Sequence, residues 1–362
     1  MTVRDEPNAI RVLHVVHPAT GGAIRRGQMT SDALTALCAQ TVRRTPEARH
    51  QCVALGGTHA KRRARALGLP VEISVPTPAG SLAYASRFLR DLVRARRPDV
   101  VHAWGPGAAH AAADLRRKLG VSVVTTHAAR HNDPRNAFAT PASIATPGDL
   151  LLPPGPTRAE AAELLGLPPG AFVVALLSDA PGDGLAFSGV FSGGLLQTLT
   201  SSFAMIVSEE AHGLERAAAF KRRTALPWPL RVASCPMLLA VRAAHVAWIA
   251  PGRGTDPMPP GLALVGGACQ AAGIPVVTDQ HLAPALGGVA PGCAADGQHA
   301  AALFCATHAL AQSRASLDEA ARAALAIREP NAEAWTDAVR ARWTSGTETI
   351  TTRGGMGSGD RV

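Results

Sequence analysis

Residues 256–279 read DPMPPGLALVGGACQAAGIPVVTD. This stretch describes a loop, a helix of small residues and a buried strand. The helix runs from about Gly261 to Ala272 and ends at Gly273, where a left-handed backbone is easily adopted. Pro275 follows, and Val276-Val277 open a short apolar strand. In a parallel sheet this order aims the helix N-terminus, with its free N–H groups, at the crevice beyond the strand ends. A phosphate can sit there.

Strand and helix alternate on both sides of this stretch. Ala9 to Val16 (AIRVLHVV) is a near-continuous apolar run, as a central parallel strand requires. His17-Pro18-Ala19-Thr20-Gly21-Gly22 then leads into a helix from about Ala23 to Gln40. Strands over His50–Leu55 and Val71–Val75 follow, with helices over Lys61–Leu67 and Ser81–Arg96. Pro98-Asp99-Val100-Val101-His102-Ala103-Trp104-Gly105 is the next strand and turn. A helix over Ala108–Leu119 precedes a strand that ends Thr125-Thr126-His127. In the second half, a strand ending at Leu177 is expected, with others at Phe203–Val207, Leu230–Ala233 and His245–Ile249. The intervening helices are Arg158–Leu165, Phe191–Ser201, Leu214–Arg223 and Met237–Ala244, and three more cover Gln298–Ala311, Ser316–Ile327 and Asn331–Trp343.

The chain has 362 residues, enough for two ordinary domains. Only 4% are aromatic, so Ala, Val and Leu must fill the cores. Six cysteines lie scattered without metal-ligand spacing, which reads as reduced, buried thiols in a cytoplasm. The net charge of +9 is carried by arginine. No nucleic-acid motif and no aromatic interleaving accompany it, which excludes nucleic acid as the expected partner. An anionic membrane surface at the inner face, or simply solvated helix faces, accounts for the charge. No apolar run is long enough to span a bilayer, and MTVRDEPNAI is not a signal peptide.

Together these phrases resemble the GT-B glycosyltransferases, the retaining family of the glycogen synthase and sucrose synthase type. The Gly21-Gly22 turn, the Pro98–Gly105 strand, the Thr125-Thr126-His127 ending, the Leu152-Pro153-Pro154-Gly155 closure and the 256–279 stretch all carry the resemblance. It implies an α/β fold of two Rossmann-like domains whose parallel sheets face a central cleft. Residues 1–156 form the acceptor-side domain and 157–330 the donor-side domain. Residues 331–344 form a helix crossing back onto the first domain, and 345–362 are expected to be a disordered tail.

The resemblance also assigns a site. His127 is the candidate catalytic group, or else a solvent-facing loop histidine. Gly21, Gly22, Pro260, Gly261 and Leu262 are placed on the donor phosphates. His102, Trp104, Gly105, Asp179, Asp183, Thr278 and Asp279 are expected to line the cleft. Trp104 stands where the family has a second histidine, and either stacks on a sugar or packs under the loop. No metal or cofactor is expected, since no zinc, Walker or GxGxxG pattern occurs. The partners implied are a nucleotide-sugar and a glycan or lipid-linked acceptor.

The donor-side chemistry departs from the family. Its helix carries two glutamates, at the positions of Pro260 and Ala268 here. Its phosphate cations are missing too, because no Lys or Arg lies between Arg158 and Arg216. The Gly-Gly-x-Pro-Glu loop is replaced by His281-Leu282-Ala283-Pro284-Ala285. Two functions follow from the sequence: hexose transfer with an altered donor site, or a catalytically inactive relative that binds a glycan, a membrane or a partner glycosyltransferase.

Overall fold

The computed structural model describes residues 9–18, 28–77, 82–128, 144–145, 151–152, 155–178, 185–200, 202–208, 213–233, 236–249, 260–297, 300–327, 332–345 and 349–353. In the first half the strands are β1 (Arg11–Val16), β2 (Arg49–Leu55), β3 (Ile73–Val75), β4 (Val100–Trp104), β5 (Ser122–Ala128) and β6 (Ile144–Ala145). The helices between them are α1 (Gln28–Arg44), α2 (Gly57–Ala66), α3 (Leu82–Arg96), α4 (Pro106–Ala112) and α5 (Leu115–Leu119). In the second half the strands are β7 (Phe172–Leu177), β8 (Phe203–Ser208), β9 (Leu230–Ala233), β10 (Val246–Ile249), β11 (Val276–Asp279) and β12 (Ala294–Ala295). Its helices are α6 (Arg158–Leu164), α7 (Leu185–Gln197), α8 (Leu214–Arg223), α9 (Met237–Ala240), α10 (Pro260–Ala271), α11 (Ala300–Gln312) and α12 (Arg314–Ile327). α13 (Ala332–Ser345) and β13 (Thr349–Arg353) close the chain.

Two parallel sheets result, as expected. The first runs β3-β2-β1-β4-β5-β13-β6 and the second β12-β11-β10-β7-β8-β9. The order reverses beside β1 and β7, which makes those strand ends the topological switch points where ligands of such sheets bind. Alternation along each strand divides the side chains between two faces. Val12 and Val16 of β1 point to one core, while Leu13 and Val15 point to another.

The inward cores of the two sheets are one. Val12, Val16, Val100 and Trp104 of the first sheet belong to the same cluster as Val173, Ala175, Ala247 and Ile249 of the second. Helices α1 and α10 join them. α10 is uncharged and almost wholly apolar, with Leu262, Leu264, Val265, Ala268 and Cys269 buried, as a helix enclosed on most sides must be. α1 also holds Asp32, whose carboxylate takes a forked pair of bonds from Arg63 of α2, Nε to Oδ1 at 2.8 Å and Nη2 to Oδ2 at 2.8 Å. The geometry satisfies both charges at a place largely closed to water.

α13 returns to the first sheet. The Trp335 Nε1–H donates to Thr41 Oγ1 on α1 at 3.2 Å, and Arg340 Nε meets Glu47 Oε1 at 2.6 Å. The segment beyond it departs from the expected disordered tail. Thr349–Arg353 forms β13, parallel to β5 on one side and β6 on the other. The physical reason lies in composition: TITTR is rich in β-branched residues, which favour a strand even without an apolar run. The single helix expected over Ala108–Leu119 is two, α4 and α5.

Candidate functional site

The candidate site lies where β1, β4 and β5 of the first sheet and β7, β10 and β11 of the second end, near the first turn of α10. The strands set which side chains face it. In β4, Val100, His102 and Trp104 share a face by the period of two, and that face looks into the central core. His102 and Trp104 are therefore fully enclosed, with 0% and 2% of their surface exposed. This corrects their expected place on a cleft wall.

They belong instead to a buried polar network between β1, β4, β5 and α13. Trp343 Nε1–H donates to His102 Nδ1 at 3.1 Å, and Trp104 Nε1–H donates to His14 Nδ1 at 3.2 Å. An indole nitrogen only donates, so both Nδ1 atoms accept, and the neutral rings carry their proton on Nε2. His102 Nε2–H then donates to Thr126 Oγ1 at 2.7 Å, and His14 Nε2–H donates to His50 Nδ1 at 2.9 Å. His50 passes its own Nε2–H to the Thr45 carbonyl at 2.7 Å. Each ring is neutral and satisfied. Burial pushes His102 down to about 3 and holds His14 well below its ordinary range, with the neighbouring rings His50 and His102 lowering His14 further. The network fastens α13 to the first sheet; it presents no group to a ligand.

Three candidates sit at strand ends with different roles. Gly105 adopts φ 88° as the chain leaves β4, and its N–H donates to Thr126 O of β5 at 2.8 Å, continuing the ladder between the two strands. A side chain there would also press on Leu34, whose Cδ1 lies 3.2 Å from an added Cβ. His127 is half-buried on β5, opposite Thr351 of β13, and burial lowers its pKa. His17, which sequence reading passed over as a candidate, is half-buried beyond β1, and its ring lies flush on Gly107 of α4. Its position just past a strand's carboxyl end was the available signal.

On the second sheet, Thr278 is buried and donates its Oγ1–H to Ile249 O at 2.8 Å, so it bridges β11 to β10 and does not line a cleft. Asp279 is half-buried, and its Oδ1 accepts from His281 N at 3.0 Å, turning the chain after β11. The first turn of α10 is the largest departure. Gly261 and Leu262 are buried, and the side of the helix at Gly261 is filled by α1. A Cβ at Gly261 would fall 2.6 Å from the Thr30 Cα and closer still to its backbone nitrogen and Oγ1. Gly21, Gly22, Asp179 and Asp183 lie outside the described residues, as does the side chain of Pro260.

Among the described residues no group of three or more His, Cys, Asp or Glu side chains is arranged to hold a metal ion. None of their helices is long and apolar enough to cross a membrane. Cys38, Cys52, Cys269 and Cys293 are buried free thiols, while Cys305 is exposed.

Neither a family model nor a curated protein sequence matches the chain. Solved structures do. The UDP-GlcNAc 2-epimerase from Neisseria meningitidis, bound to UDP-GlcNAc, superposes with a TM-score of 0.58 at 10% identity over 93% of this chain and 100% of its own. HepE from Anabaena, in complex with UDP and glucose, gives 0.56 at 13% identity, again over 93% and 100%. Sucrose-phosphate synthase from Thermosynechococcus elongatus gives 0.52 at 12% identity with the same coverage. The fold is GT-B. At these identities the likeness carries the architecture alone. Epimerases and glycosyltransferases share it, so the GT-B frame selects no one reaction.

Proposed function

We propose that this chain is a GT-B protein descended from nucleotide-sugar enzymes that no longer transfers a hexose by the usual retaining arrangement. It acts as a binding protein for a glycan, a lipid-linked saccharide or a partner glycosyltransferase, with an anionic membrane face as a further contact. The supporting observation is α10. Its twelve residues, PGLALVGGACQA, include no charged side chain, and its first turn is seated on Thr30. In the retaining family that the sequence resembles, this helix holds the ribose and the sugar with carboxylates, and α10 has none to offer. Its dipole still favours an anion, but no Lys or Arg between Arg158 and Arg216 is there to neutralise a diphosphate. The carboxylates of Asp179, Asp183, Glu209 and Glu210 follow the strand ends in sequence. Two like charges about 4 Å apart at an effective dielectric near 20 repel by about 4 kcal/mol, enough to decide binding.

A second reading is an active hexosyltransferase or related sugar-nucleotide enzyme that uses other residues. His17 and His127, both half-buried beside strand ends, favour it. Calorimetry with UDP, GDP, ADP and their sugars, together with a donor-hydrolysis assay, separates the two. The proposal expects weak diphosphate binding with little base selectivity and no turnover. Micromolar, base-selective affinity with turnover overturns it in favour of the second reading.

A further inference from the structure

Two neighbouring helices on the outer face of the second sheet carry no charge. α7 (LAFSGVFSGGLLQ) and α11 (AAALFCATHALAQ) have thirteen residues each and contain no Asp, Glu, Lys or Arg, in a chain that is 17% charged. They pack side by side, and Ser192 Oγ of α7 donates to the Ala300 carbonyl at 2.7 Å. Their inward residues, among them Val190, Leu196 and Leu303, fill the outer core of that sheet. Their outward residues face solvent: Phe191 is 41% exposed, and Leu199, just beyond α7, is 46% exposed. Large exposed apolar side chains on a face without charges mark a surface built to be covered.

One edge of this face is cationic. α8 packs along α7 and carries Arg216, Lys221, Arg222 and Arg223 against the single acid Glu215. Phe220 of α8 joins Phe187 and Phe191 in an aromatic cluster, with ring centroids at 5.0 and 5.9 Å. The Arg216 guanidinium lies 4.8 Å over the Phe187 ring. The outer layer of the first sheet is different in kind. There α3 and α5 expose Arg87, Arg94, Arg117 and Lys118 beside the short uncharged α4, and Tyr84 of α3 is 50% exposed, but among the described residues of that layer no two uncharged helices lie side by side.

We infer that the α7–α8–α11 face docks on an anionic lipid bilayer surface. Phe191 and Leu199 enter the boundary between headgroups and acyl chains, and Arg222 and Arg223 meet lipid phosphates. An aromatic and aliphatic face bordered by cations is the pattern of interfacial binding. Charge complementarity selects this occupant over a second copy of the chain, whose matching face would bring more cations and only Glu215 to receive them. The inference gives the proposed membrane contact a location. It uses no residue of the donor half, so its failure leaves the nucleotide measurements above untouched.

Co-sedimentation of the full chain with vesicles tests it. Phosphatidylcholine vesicles with phosphatidylglycerol should bind the protein, and pure phosphatidylcholine vesicles should bind it far less. Phe191→Asp, and separately Arg222→Ala with Arg223→Ala, should each lower partitioning roughly tenfold or more while circular dichroism stays unchanged. Arg94→Ala with Arg117→Ala, on the other outer layer, should change it less than about twofold. Equal loss in both arginine pairs, or no loss with Phe191→Asp, overturns the inference. So does a concentration-dependent dimer that Phe191→Asp dissolves in a protein that binds neither vesicle; that result assigns the face to a second copy.

Discussion

At the scale of single residues, the neutral histidines of the buried network make the fold sensitive to acid. His102 keeps its proton off Nδ1 because Trp343 already donates there, and burial holds its pKa at about 3. The unfolded chain takes up that proton near the ordinary value of about 6.5. The stability this group contributes is complete above pH 6.5 and is lost progressively as pH falls toward 3. The slope is about 1.4 kcal/mol per pH unit, and His14 adds its own. Urea denaturation at about pH 7 and about pH 4.5 should show a loss of at least about 2–3 kcal/mol. In His102→Gln the acid-dependent part should shrink by about that amount. An unchanged acid slope in the variant would show that His102 is not a buried neutral group. The reason these residues were misplaced from sequence is specific. Val100-Val101-His102-Ala103-Trp104 puts the polar pair at a carboxyl strand end, where ligands bind, and also on the face that alternation turns inward. Burial was legible in the alternation, but the partners were not: Trp343 is 241 positions away.

At the scale of elements, continuous apolar runs and small-residue helices could be read directly. β1, β10 and β11 are buried on both faces and leave no ambiguity of period, and α10 falls within a residue of the expected bounds. β13 could not be read that way, because a short threonine-rich strand has no hydrophobic signature and its place depends on β5 and β6. That makes it a useful test. Ending the chain at Ser345 removes the strand that lies between β5 and β6 and leaves an unpaired edge on β5. The shortened protein should melt several degrees lower and self-associate, as seen by calorimetry and light scattering. Unchanged melting with a monomeric profile would place Thr349–Arg353 outside the cooperative structure. The donor half remains the least legible part of the site. α10 is recognisable by its small residues, yet the same smallness lets α1 close against it at Gly261.

At the scale of the whole molecule, the inward faces of both sheets and helices α1 and α10 share one core. Two domains around an open cleft would unfold independently, but two halves joined this way should unfold together. Trp104 and Trp343 report on the first sheet, and Trp228 and Trp248 on the second. Variants that keep only one pair should give coincident urea transitions; two separated midpoints would mean that the shared core does not couple the halves. The placement of β13 has one more consequence, for synthesis. β5 ends at Ala128, and the strand that pairs beside it begins at Thr349. A ribosome adding about 5–20 residues per second needs tens of seconds at its slower pace to make the intervening chain. Throughout that interval the nascent first half carries an unfinished sheet and histidines still waiting for the indole of Trp343. Its folding cannot finish domain by domain; it is completed only once α13 and β13 have been made.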